Sequence, residues 1–293
     1  MSRPEPRREQ GLTLVELLVT MMISGLLLVL TLEVVNSNRR LYDTDSRRVE
    51  VNQNLQSALR VVSNDVRQTG ERLRRNVPAL ELRVGSSDTL TIRRNLLDVV
   101  LPLCADLDSG TTAATLYVAL QPGTPVADCQ AATPALVAPW EAFRNAHGGA
   151  VKAFIFDPVH GRGETFTYDA ADAAGRFIHR SGGTWLNSYR TNDGPVIYLL
   201  ETRTYAVTAG QLTLSVDGES AEAVAPSIGS LKVSLTLKDG SVPSGDFPTS
   251  GTSWKDVRSV QLSLSGSSTS RGKTTSRALS ETVTPRNAFS AED

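Results

Sequence analysis

The chain has 293 residues, enough for one large domain or two modest ones, and a formal net charge of −1. That near-balance gives no bulk attraction to nucleic acid or any other polyanion. Three histidines and two cysteines are too few soft ligands for a catalytic zinc centre or an iron–sulfur protein.

In chain order, a charged leader (MSRPEPRREQ) and a lone Gly11 precede the densest apolar run, residues 12–35. As a helix those 24 residues would reach roughly 36 Å, enough to cross a hydrocarbon core of about 30 Å. A secretory signal would have a shorter core and a small-residue cleavage site after it. None follows Val35, so the run is expected to be retained. Orientation is ambiguous on charge: Arg3, Arg7 and Arg8 precede the run, but Arg39, Arg40, Arg47 and Arg48 follow it. Glu16 is the anomaly. A carboxylate in a membrane helix either has a functional partner or sits at headgroup level in the first turn, where the helix dipole favours an anion.

The stretch G-L-T-L-V-E (residues 11–16), behind a charged leader and ahead of an apolar run, resembles the type III signal of type IV pilins and pseudopilins. The resemblance implies cleavage by a prepilin peptidase between Gly11 and Leu12, then N-methylation of Leu12, although the family more often has Phe there. It also implies an inner-membrane precursor with its N-terminus in the cytoplasm and its head in the periplasm, against the arginine count. Glu16 would then pair with the free amine of a neighbouring subunit and set the register of assembly.

Beyond residue 35 the helix is expected to continue. Val51, Leu55, Leu59, Val62 and Val66 form one apolar stripe, no proline lies between Pro6 and Pro78, and Gly70 is a stop signal. A helix over residues 12–69 would be roughly 87 Å long. Many major pilins carry a proline in its first half; this chain has none.

From Pro78 onward, short alternating runs at 88–94, 114–120, 150–157, 164–170, 195–208, 211–216, 231–237 and 257–265 read as strands, with a hairpin at residues 208–210. The fold class is therefore α+β and type IV pilin-like: a long N-terminal helix on a mainly antiparallel head. Its parts are a leader (1–11), a transmembrane or filament-core half-helix (12–35), an amphipathic half (36–70) and a head (71–293). The head has a variable insertion around 95–190. If the head is exported, a disulfide between Cys104 and Cys129 is favoured, and two unpaired thiols are the alternative.

NDVRQTG (64–70) and SETVTPRN (280–287) resemble segments of PilW-type minor pilins. That resemblance implies a subunit joining other minor and major pilins on an inner-membrane assembly platform to prime a type IV pilus. No G-x-S-x-G, zinc helix or phosphate loop appears in the sequence, so no enzyme activity, cofactor or metal is expected. A J-type pseudopilin of type II secretion, or a tip adhesin or DNA-uptake receptor, is the alternative. Among chemical clusters, His160 lies near Asp157 and Glu164, and DLDSG (106–110) has the alternating oxygens of a calcium loop without the rest of it. Both read more simply as turns. Residues 36–75 carry nine arginines (Arg39, Arg40, Arg47, Arg48, Arg60, Arg67, Arg72, Arg74 and Arg75) against Asp43, Asp45, Glu50, Asp65 and Glu71. That excess could meet DNA phosphates or anionic lipid, but a solvated face pairing with neighbouring subunits is the simpler account.

Overall fold

A computed structural model describes residues 14–119, 129, 133–172, 174–270 and 273–289. It opens on one continuous helix, α1 (Leu14–Gln68). The described chain divides into two units, one running to Glu50 and including residues 268–275, the other taking Val51–Ser267 and the segment from Ser276.

In the second unit, α1 buries the apolar stripe legible in the sequence: Val51, Leu55, Leu59, Val62 and Val66, with Ala58 between them. Spacing of three and four places these on one face, and burying each large aliphatic side chain contributes roughly 1.5–3 kcal/mol. The stripe shares a core with a three-stranded antiparallel sheet ordered β12 (Ile228–Leu237), β13 (Val257–Ser270) and β14 (Lys273–Val283). Leu231, Val233, Leu235 and Leu237 alternate inward along β12, and Val260, Leu262 and Leu264 along β13. Gly266 on β13 leaves room for the helix. A Cβ there would fall 2.4 Å from the Ser227 carbonyl oxygen and 3.4 Å from a Val51 methyl.

A second sheet on the same core runs β1 (Leu80–Arg83), β2 (Thr89–Asn95), β9 (Leu200–Thr208), β10 (Gln211–Val216) and β11 (Glu222–Pro226), all antiparallel. The hairpin anticipated at residues 208–210 joins β9 to β10. Thr208 pairs with Gln211 across a two-residue turn. Ala209 (φ 50) and Gly210 (φ 75) both adopt the left-handed conformation such a turn requires.

The third sheet lies largely within residues 95–190 and takes up the strands expected at 114–120, 150–157 and 164–170. It runs β3 (Leu101–Pro102), β8 (Val196–Tyr198), β5 (Val151–Asp157), β6 (Arg162–Ala171), β7 (Phe177–Arg180) and β4 (Thr115–Tyr117). With helix α2 (Ala138–Ala146) it builds a separate hydrophobic core around Trp140, Tyr168, Trp185 and Tyr189. Trp140 and Trp185 satisfy their indole N–H groups on the carbonyls of Val99 (2.9 Å) and Ala113 (3.0 Å). Strands β5 and β8 face both cores: Ile155 and Ile197 point into the second, Phe156, Val196 and Tyr198 into the first. The run 195–208, read as one strand, is two. The chain leaves the third sheet after Tyr198 and enters the second sheet at Leu200, with Leu199 buried between them.

Candidate functional site

The described residues of the apolar run, 14–35, are exposed around the whole circumference of α1. Leu14, Met22 and Leu26 are 78%, 79% and 65% accessible. A helix apolar on every side suits an apolar surrounding, and the run is long enough to cross a membrane. Two of its hydroxyls are satisfied within the helix. Thr20 donates to the Leu17 carbonyl at 2.9 Å and Thr31 to that of Leu27, the arrangement a polar side chain needs where water is absent. Glu16 lies in the first turn and is exposed, and the helix dipole there favours its negative charge. Gly11 and Leu12 lie outside the described residues.

Residues 6–32 match the family described as the prokaryotic N-terminal methylation motif. The chain carries the N-terminal motif of pilin-like precursors. The match covers Gly11, Leu12, Glu16 and most of the exposed run, and it ends well before the head. No curated protein and no solved structure matches the chain. The motif and the exposed helix together indicate a single-pass membrane anchor, and motif and architecture together describe a pilin-like or pseudopilin precursor.

At the other end of α1, the two segments that carried the finer resemblance meet in space. Glu281 accepts from Ser63 Oγ at 2.8 Å and from Arg67 Nη2 at 3.2 Å. Asn287 Nδ2 donates to the carbonyls of Thr69 (3.1 Å) and Gln68 (3.4 Å), which the helix end leaves without intrahelical partners. One turn earlier, the nearly buried Asp65 accepts from Arg203 Nη1 at 2.7 Å and from the Tyr205 hydroxyl. Burial alone would lower the Arg203 guanidinium, but Asp65 and Glu201 hold it above its ordinary value. Burial and the neighbouring Asp65 both push the Tyr205 hydroxyl up, so it stays a donor. This polar cluster fixes how the helix end meets the second sheet. Gly70 completes the stop: it takes φ 73 and donates its N–H to the Arg93 carbonyl at 2.9 Å.

The residues that suggested chemistry divide among separate contacts within the head. His160 Nδ1 lies 2.8 Å from Asp157 and 3.6 Å from Asp193, and Glu164 belongs elsewhere. Glu164 accepts from the N–H groups of Leu186 (3.0 Å) and Asn187 (2.9 Å) and from the Tyr189 hydroxyl (3.0 Å), tying down the 185–190 loop. Asp157, His160 and Asp193 bring three ligand atoms within 4.8 Å of one another. However, Arg162 Nε stands 3.4 Å from Asp157 and already supplies a fixed cation to that carboxylate. In DLDSG, Asp108 accepts from Arg190 at 2.6 Å, while Asp106 accepts from the Thr191 N–H at 2.9 Å and its hydroxyl at 3.0 Å. Those carboxylates clip two loops together.

Of the arginine run, Arg67, Arg72 and Arg75 pair with Glu281, Asp98 and Asp256. Arg39, Arg40, Arg47, Arg48 and Arg60 are exposed on α1. Cys104 and Cys129, both buried, are joined by a disulfide with Cα atoms 5.6 Å apart.

Proposed function

We propose that the chain is a minor pilin of a type IV pilus, of the PilW type. It is made as an inner-membrane precursor with its N-terminus in the cytoplasm and its head in the periplasm. The prepilin peptidase cuts between Gly11 and Leu12, and Leu12 is methylated on its amine. The trimmed subunit joins other minor and major pilins on the assembly platform, in a tip complex that starts polymerisation. The supporting observation is the division of one helix: a motif-bearing half exposed on all sides, and a half buried in a β-rich head. The first half suits a membrane and then a bundle of like helices. The second displays the head, whose Cys104–Cys129 disulfide suits an oxidising compartment.

Glu16 is the residue on which assembly turns in this reading. Away from water, its carboxylate and the new amine of a neighbouring Leu12 attract strongly, and deleting the carboxylate leaves the amine buried and uncompensated. Glu16→Leu should therefore be inserted and trimmed normally yet fail to enter the tip complex. A loss of about 3 kcal/mol corresponds to a more than hundredfold drop in recruitment. Co-purification with the other pilins measures it, and undiminished recruitment would refute the pairing. Cells lacking the protein should lose surface pili; intact pili with a protein-secretion defect would point instead to a pseudopilin.

A further inference from the structure

The charges that follow the apolar run are sorted along the axis of α1. Taking 1.5 Å per residue, Arg39 and Arg40 lie roughly 6 and 7.5 Å beyond Val35. Asp43 and Asp45 follow at roughly 12 and 15 Å, Arg47 and Arg48 at roughly 18 and 20 Å. The headgroup layer on each side of a bilayer is about 5–7 Å thick. With the apolar run seated in the hydrocarbon and Val35 at its edge, Arg39 falls within the headgroup layer and Arg40 at its outer margin, while the acids and second pair lie outside it. Glu33, on the apolar side, subtracts one charge and leaves the layer net positive.

The side chains agree with that placement. Arg39, Arg40 and Arg48 are all exposed, and Arg48 also lies 3.6 Å from Asp45. Val35, Asn38, Arg39, Tyr42 and Asp43 line a shallow groove on one helix face. From the membrane outward it offers an apolar wall, then an amide and a guanidinium, then an aromatic ring that is 74% exposed. That order follows a phospholipid from acyl chain to headgroup, with Tyr42, roughly 10.5 Å beyond Val35, just past the outer margin of the headgroup layer and within side-chain reach of it. Asp43 closes the outer end, about 6 Å farther along the axis than Arg39 and beyond the phosphate plane.

We propose that Arg39 and Arg40, with Asn38 and Tyr42, clamp the headgroups of anionic phospholipids and fix the depth at which α1 sits in the membrane. The inference rests on residues 12–35 being a membrane anchor. Guanidinium groups also bind DNA phosphates, but a basic pair bounded by acids on both sides fits a thin charged layer better than a long polyanion.

The test reconstitutes the full-length chain into vesicles of equimolar phosphatidylglycerol and phosphatidylcholine. Co-purifying lipids are then counted by native mass spectrometry. Each arginine at the surface is worth about fivefold, so the wild type should favour phosphatidylglycerol by roughly 25-fold. Arg39→Gln with Arg40→Gln should abolish the preference, and Arg47→Gln with Arg48→Gln should keep it. Unchanged preference in the first variant, or equal loss in the second, overturns the clamp. So does salt-sensitive duplex-DNA binding that the first variant loses while its lipid preference stays. Release of the wild type from vesicles by alkaline carbonate would defeat the membrane-anchor reading itself. Stable insertion without lipid preference defeats only the clamp.

Discussion

Replacing Gly70 by alanine tests how the helix is joined to the head, because two separate penalties act at this position. Its φ of 73° lies in the left-handed region, which costs an alanine about 1–2 kcal/mol. Its Cβ would also stand 2.1 Å from Trp254 Cζ3 and 2.2 Å from Cη2. The Trp254 ring is 2% exposed and lies in the core shared with Val62 and Val66, so it has little space to retreat. Overpacking of that kind costs about 1–3 kcal/mol. The sum is about 2–5 kcal/mol. Gly210 supplies the control: it has nearly the same φ, 75°, but nothing within 4 Å of its Cβ direction. Gly210→Ala should therefore cost only the backbone share, about 1–2 kcal/mol. Urea unfolding of the detergent-solubilised chain, followed by tryptophan fluorescence, measures both. Gly70→Ala should lower the midpoint with little change in slope. If the two variants lose the same stability within about 0.5 kcal/mol, the contact with Trp254 contributes nothing and the account of the junction is wrong.

Two further outcomes concern the head. Replacing Cys104 and Cys129 together by alanine should remove about 3.5 kcal/mol, the value for a loop of 25 residues; reductant should destabilise the wild type similarly and leave the variant unchanged. Asp157 contributes to the acid response. Burial alone would raise its carboxyl, but the His160 N–H, the His160 ring and the Val159 N–H outweigh it and hold the value below the ordinary range. A lowered folded value stabilises above the unfolded value of about 3.9, and that stability is lost as pH falls through the folded value. Asp157→Asn should thus cost about 1–3 kcal/mol at neutral pH. The gap to wild type should narrow below about pH 4, and a constant gap in unfolding at pH 7 and pH 3 would contradict the assignment.

The helix was almost wholly legible. Residues 12–69 were expected and Leu14–Gln68 is described, because an apolar stripe at three- and four-residue spacing with no proline has one regular solution. Strands β2, β5, β6, β10, β12 and β13 announced themselves by alternation. The short strands β1, β3, β7 and β11 were not seen, since two to five residues cannot display a period. The break at Leu199 was also hidden: β8 and β9 are both apolar enough to read as one run, and alternation reports which face is buried, not which strand lies alongside. For the same reason the second core was invisible, although Trp140, Trp185 and the tyrosines that build it lay in plain view. At the sites, Asp157 and His160 were named, but Asp193 comes from 33 residues beyond His160 and only folding brings it near. The segments NDVRQTG and SETVTPRN were singled out separately, and their contact through Glu281 and Asn287 gives that pair of motifs a physical reason.

The most direct test of the whole account is the mass of the N-terminal peptide of the protein recovered from cells. The account requires a chain beginning at Leu12 and carrying one added methyl group on its amine, with the apolar run intact behind it. A chain that keeps Met1 and the leader, or one cut after residue 35 with the apolar run removed, would contradict it.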